Sequence, residues 1–223
     1  MIMRLKGASF ILAFAPLAAC QTAPQPKPPP PGVSVELEEP AAWAREAAPE
    51  DAERIERLPM AWREALADAR RAGFSRQVKA EGRLLDPEAA LPRAAPPPGS
   101  YNCRMIRLGA ATPRGRAFVA HKPFFCFVGV NGDQLSITKQ TGSLRPGGYL
   151  WETEESKRLV FLGSVALGNE EGPLAYGEDK ARNMAGVLER FGNLRYRLLI
   201  PWPRQGSKLD VFELIPVAEQ PEI

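Results

Sequence analysis

A thiol stands at Cys20, directly after Leu17-Ala18-Ala19, and small residues before a cysteine at the end of an apolar run mark lipoprotein export. In that chemistry the thiol is diacylated, a peptidase cuts before it, and Cys20 becomes an acylated N-terminus. The chain has three cysteines, an odd count that an exported protein must account for. With Cys20 acylated, Cys103 and Cys126 remain as a pair. In an oxidising compartment they are expected to form one disulfide. Their spacing is not the C-x-x-C of redox work.

The second cluster lies around Gly192-Asn193, read as a two-residue hairpin turn. That register pairs Glu189 with Tyr196, Arg190 with Arg195 and Leu188 with Arg197. Glu189 then faces the core beside Tyr196, and Arg190, Arg195 and Arg197 share the other face with Leu188. A buried carboxylate must be hydrogen-bonded or paired, or its pKa rises. In the structural reading, Tyr196, Arg145 or backbone groups satisfy Glu189. In the functional reading, Glu189 is a polar group at the floor of a barrel pocket. The arginine face is either solvated and ion-paired or takes an anion. Glu189, Tyr196, Arg145, Arg190 and Arg197 are therefore the candidate ligand-binding residues. The glycine-rich stretch Thr141 to Gly148 carries Arg145 and could present backbone N–H groups to an anion. It lacks the Lys-Ser/Thr of a phosphate loop.

Other chemistry finds little support. The single histidine, His121, precedes Lys122 and Pro123 and reads as an exposed loop residue. One histidine makes no zinc cluster. No G-x-S-x-G elbow and no dinucleotide fingerprint is present. Glu154-Glu155 and Glu170-Glu171 lie in turn-like runs. The expectation is a chain with no catalytic residues, no cofactor and no metal, and so not an enzyme. Basic residues are scattered, which disfavours nucleic acid as a partner. Loss of Arg4 and Lys6 with a signal peptide would bring the formal charge of +3 to +1.

These residues imply four segments. Residues 1–19 form a signal peptide: Arg4 and Lys6 precede the apolar run Ala8 to Ala15, which is far shorter than the roughly 20 residues of a membrane span. Residues 20–49 are the lipidated cysteine and a tether whose core, Gln21 to Gly32, is proline-rich and favours extended polyproline II. Residues 50–98 are a helical segment and connector. Within Glu50 to Gly73, Ile55, Leu58, Trp62, Leu66 and Ala69 recur at spacings of three and four, one apolar stripe that Pro59 divides. The stripe is expected to pack on the body of the protein. Residues 99–223 are an antiparallel β domain. Its strands are expected near Tyr101–Leu108, Phe124–Asn131, Gln134–Thr141 and Tyr149–Thr153, then near Arg158–Leu167, Met184–Phe191, Arg195–Ile200 and Leu209–Pro216. The fold class is α+β, mainly β: N-terminal amphipathic helices followed by a small antiparallel β-barrel or closed sandwich.

Several stretches together resemble a bacterial family known only as domain of unknown function 4893. They include Arg54-Ile55-Glu56-Arg57-Leu58-Pro59 with Trp62, and Pro98-Gly99-Ser100-Tyr101-Asn102-Cys103-Arg104. Phe125-Cys126, Lys139-Gln140-Thr141-Gly142-Ser143 and Gly186-Val187-Leu188-Glu189-Arg190 continue the pattern, and Leu209-Asp210-Val211-Phe212-Glu213-Leu214 ends it. The resemblance spans roughly Glu50 to Pro216. It implies an exported proteobacterial protein and carries no activity or catalytic residue. The expected function is that of a membrane-anchored, periplasm-facing lipoprotein that binds a small ligand or an envelope component. The rival readings are an assembly protein that meets a partner through its helical segment, and a hydrolase-like enzyme using Glu189. Gln21, rather than Asp, after the lipidated cysteine favours the outer over the inner membrane.

Overall fold

The computed structural model describes residues 41–204 and 206–218. Cys20, the signal peptide and the proline-rich run fall outside these residues. Four helices precede nine strands: α1 (Ala42–Glu46), α2 (Pro49–Glu56), α3 (Leu58–Arg71) and α4 (Ser75–Ala80), followed by a 3-10 turn at Gly82–Leu85. Part of the stretch expected as tether, residues 42–46, is helical. Residues 42–46 form α1, because Trp43 packs with Trp151 against the apolar cluster beneath the helices.

Local chemistry places the breaks. Arg57 both ends α2 and caps α3. Pro59 then falls in the first turn of α3, where its missing N–H would have no partner in any case. After α3 the chain reverses through Gly73 at φ +87°. Gly73 N–H donates to Arg70 O and Phe74 N–H to Ala69 O, the pair of bonds that closes a helix C-terminus.

The strands are β1 (Gly99–Ala110), β2 (Phe118–Ala120), β3 (Phe124–Asn131), β4 (Gln134–Lys139), β5 (Leu144–Glu152), β6 (Arg158–Leu167), β7 (Asn183–Gly192), β8 (Arg195–Pro201) and β9 (Ser207–Pro216). All pairings are antiparallel. Apart from β2, each strand pairs with the next, and β9 returns to β1 over Tyr101–Ala110, so eight strands close a barrel. Closure removes the exposed edges that an open sheet would present. The long β1 is shared on its other edge: Gly99–Cys103 pair with β3, and Ile106–Leu108 pair with β2.

The stripe Ile55, Leu58, Trp62, Leu66 and Ala69 is buried throughout, as its spacing predicts. It covers the outer face of β1 and β7–β9, including Ile106, Val187, Leu199 and Val211. The helix backbone comes very close. A Cβ on Gly109 would lie 2.9 Å from the Ala65 Cα. Inside the barrel, Tyr101, Phe161, Leu188, Leu198 and Leu214 fill one end. The proline-rich connector crosses that end. Ala94 joins the interior cluster, and Tyr101 Oη donates to Pro97 O at 2.6 Å.

Cys103 and Cys126 form the expected disulfide, bridging β1 and β3 with Cα atoms 6.0 Å apart. It closes a loop of 23 residues, which restricts the unfolded chain and contributes about 3 kcal/mol.

β5 begins at Leu144, five residues earlier than expected. Gly148 of this stretch serves close packing between strands. A Cβ on Gly148 would lie 2.3 Å from the Leu162 carbonyl oxygen, and one on Gly163 2.2 Å from the Gly147 carbonyl oxygen. Strand glycines of this kind allow two backbones to meet closely at a barrel bend.

Candidate functional site

The hairpin of β7 and β8 is one residue out of the expected register. Glu189 pairs with Arg197 and Arg190 with Tyr196, while a bulge between Arg190 and Gly192 absorbs a residue. The turn residues are Asn193 and Leu194, with Leu194 at φ +49°. Because side chains alternate with period two, a one-residue slip exchanges the faces. Glu189 therefore points out of the barrel, toward the helical layer, and Tyr196 points in.

Glu189 and Arg197 are sealed there, 1% and 0% exposed. Arg197 donates through Nε and Nη2 to Glu189 Oε2 at 2.9 and 2.7 Å. Its Nη1 donates to the carbonyl oxygens of Arg83, Leu84 and Asp86. The guanidinium also lies over the Trp62 ring at 5.2 Å. Arg158 Nε donates to the other Glu189 oxygen at 3.1 Å. This network ties the 83–86 segment to the barrel wall. A similar cluster joins Glu213 to Arg104 and Arg195, and Arg104 reaches Glu81 just after α4. These are clamps between layers.

The remaining candidates are also committed. Arg145 donates to the carbonyls of Gly142, Gly168 and Glu170, pinning the loop after β6. Arg190 Nε donates to Pro92 O at 2.8 Å. Tyr196 packs edge-on against Tyr101 in the filled end, and burial raises its pKa. None of the five lines the main cavity.

That cavity lies at the opposite end of the barrel, with a volume of about 670 Å³. This is within the range of small-molecule sites. Its walls are apolar: Met105, Pro146, Val165, Met184 and Ile200 among them. Its floor is Phe212, which packs edge-on against Phe124 at 6.3 Å. Below Phe212 only a residual void of about 10 Å³ remains above the filled end. The loops between β4 and β5, β6 and β7, and β8 and β9 surround the opening.

Charged groups enter this apolar space from separate strands. Arg107 on β1 places Nε 3.6 Å from Asp210 Oδ1 on β9. Ser207 Oγ donates to the same oxygen at 2.6 Å. Burial dominates nonetheless, and the Asp210 carboxyl is pushed up to about 6. Lys139 on β4 donates Nζ–H to Leu144 O at 2.9 Å and sits over the Phe124 ring at 4.4 Å. Its pKa is lowered by burial and by the charge of Arg145.

His121 belongs to this group and is not an exposed loop residue. Its backbone N–H donates to Met105 O at 2.9 Å, which holds the 121–123 link into the wall beside β1. Burial lowers its pKa, and the charges of Arg107 and Lys139 lower it further. Its Nε2 is shielded from solvent and has no hydrogen-bond partner among the described residues. The rim adds Arg54, Arg182 and Arg204, with Asp179 as a second carboxyl. Arg182 is engaged by Glu170 and Asp179.

Sequence reasoning missed Arg107, His121, Lys139 and Asp210, which lie on four separate segments. The only signal was polar residues at inward positions of otherwise apolar strands, and it needs the register to be read.

A model of the family described as Domain of unknown function (DUF4893) matches residues 43–214. No curated protein matches the chain, and no solved structure does.

Proposed function

Since the chain belongs to the DUF4893 family, which brings no activity with it, we propose from its own geometry that it is a non-enzymatic ligand-binding lipoprotein of the bacterial envelope. The observation that carries this reading is the lined cavity in the mouth of the barrel. An eight-stranded barrel is wide enough inside to hold one small ligand. Filling one end and leaving the other open makes a blind pocket. The rival contact through the helical stripe is less supported, because that stripe packs against the barrel. The hydrolase reading is also less supported, because Glu189 is enclosed by Arg158 and Arg197.

The envelope setting rests on the sequence signal at Cys20, and an oxidising compartment suits the Cys103–Cys126 bridge. The lipid at Cys20 would tether the barrel facing the periplasm, at the outer membrane in species that read Gln21 as a sorting signal.

An uncharged environment-sensitive dye should bind the full chain at one site per molecule. Met184→Trp, which places an indole in the cavity, should abolish that binding at an unchanged unfolding midpoint. Binding that survives Met184→Trp would remove the cavity as the site. For the anchor, mass analysis of chain from a bacterial host should find Met1 to Ala19 removed and acyl groups on Cys20. Cys20→Ser should release the protein from membranes. Unaltered processing and membrane association in that variant would sink the lipoprotein assignment.

A further inference from the structure

The cavity combines three features that together restrict what it takes. It is narrow, because it occupies the bore of an eight-stranded barrel. It is apolar at depth, with two flexible thioethers, Met105 and Met184, that adapt to an occupant. It is basic where charge appears. Arg107, His121 and Lys139 converge from β1, the β2–β3 link and β4, close enough that His121 feels both cations. Like charges gathered in a partly enclosed site repel one another, and an anion among them relieves that cost.

On the ligand-binding reading above, we infer that the cavity binds a single-chain aliphatic carboxylate. Its tail runs down to the Phe212 floor, and its carboxylate lies among Arg107, Lys139 and His121.

Each part of this assignment has its own residue. His121 lines the cavity, its Nε2 has no hydrogen-bond partner among the described residues, and a turn of the ring toward the cavity would bring that shielded nitrogen to a carboxylate oxygen. Lys139 has spent one donor on Leu144 O, and an ammonium has three. Arg107, with Nε 3.6 Å from Asp210 Oδ1, adds its positive charge to the same wall. Asp210 favours a singly charged ligand. Its carboxyl lies 3.6 Å from the Arg107 guanidinium, so each negative charge a ligand brings there meets it, and a monoanion meets less repulsion than a dianionic phosphate. Five cationic side chains against two carboxyls line the space, an excess of positive charge that a bound anion reduces. Phe212 lines both the cavity and the small void beyond it, and so sets a maximum tail length.

The chain contains one histidine, so a single imidazole resonance reports on this site. The experiment uses the full chain carrying Cys20→Ser, so that its own acyl groups cannot compete. Straight-chain saturated acids and the alcohols of equal length are titrated at neutral pH. The acid should bind at least about tenfold tighter than its alcohol, the ratio of one charge-assisted contact worth about 1.4 kcal/mol. Bound acid should raise the His121 titration midpoint by roughly one unit, and the alcohol should not move it. Lys139→Met should erase the preference for acid while leaving alcohol affinity intact. Phe212→Ala should move the optimum to longer chains.

An alcohol that binds within about threefold of its acid would overturn the carboxylate assignment. An unmoved His121 midpoint would overturn the placement of the head group. An unchanged length optimum in a folded Phe212→Ala variant would overturn the placement of the tail. If the uncharged dye still enters the cavity in any of these cases, ligand binding stands and only the ligand class falls. If neither dye nor acids bind, the binding reading itself falls.

Discussion

Glu189→Gln is expected to lower the unfolding free energy by about 3–5 kcal/mol, the usual cost of removing one partner from a buried ion pair. The glutamate neutralises Arg197, which is fully buried between the barrel and the helical layer, and also accepts from Arg158. Gln is nearly isosteric, so packing survives and the loss is electrostatic. Its amide oxygen can accept from one guanidinium, but its NH2 group points two donors toward others. Arg197 would then be a buried cation without a counter-ion, facing neutral groups such as the carbonyls of Arg83, Leu84 and Asp86. The expected result is a lower urea midpoint, with dye binding per folded molecule unchanged. Arg197→Met should cost at least as much, because those three carbonyls lose their donor too. The double variant should cost less than the sum of the two, since the second replacement removes the group the first left stranded. A variant Glu189→Gln with a normal midpoint and no dye binding would place Glu189 in the ligand site and refute its role as a clamp.

Asp210 is expected to give the protein an opposite and pH-dependent liability. Its folded-state value is about 6 against an ordinary 3.8. Between those values the folded protein holds a proton that the unfolded chain has released. Stability is therefore greatest below about pH 4 as far as this group is concerned. It falls as pH rises through 6, by up to about 3 kcal/mol, and is flat above. Burial is the cause. Ser207 and Arg107 both favour the charged form and only reduce the effect. His121, held below its usual range, works the other way and loses stability as pH falls through the mid-range. The absolute profile therefore mixes the two, and the informative comparison is with Asp210→Asn. That variant should unfold at higher urea than the parent at pH 8, and the difference should shrink toward pH 4. Parallel profiles for the two proteins would show that the Asp210 carboxyl is not desolvated as described.

How much of this was legible in the sequence depends on whether one face of an element meets water. The helical stripe could be read because α3 has a solvated side, and Ile55, Leu58, Trp62, Leu66 and Ala69 stand out against Arg63 and Arg70. β3 alternates along part of its length, with Phe125 exposed and Phe127 half-buried while Cys126 and Val128 are buried. The pairing of Cys103 with Cys126 followed from residue type and count. β8 offered no such contrast. From Tyr196 to Pro201 every residue is buried, half against the barrel interior and half against the helices. A strand covered on both faces has no polar side to set its register. The turn was then the only guide, and it pointed one residue away.

That single residue separated Glu189 from Tyr196 and dissolved the site built on them. The pairing of Cys103 with Cys126, the helical layer and a closed antiparallel β fold came from local chemistry and periodicity alone. The tertiary structure alone decided that the barrel is filled at one end and open at the other, and which side chains meet there. Arg107, His121, Lys139 and Asp210 share no local motif. They become neighbours only when β9 pairs with β1 and the barrel closes, because closure turns distant inward-facing positions toward one common interior.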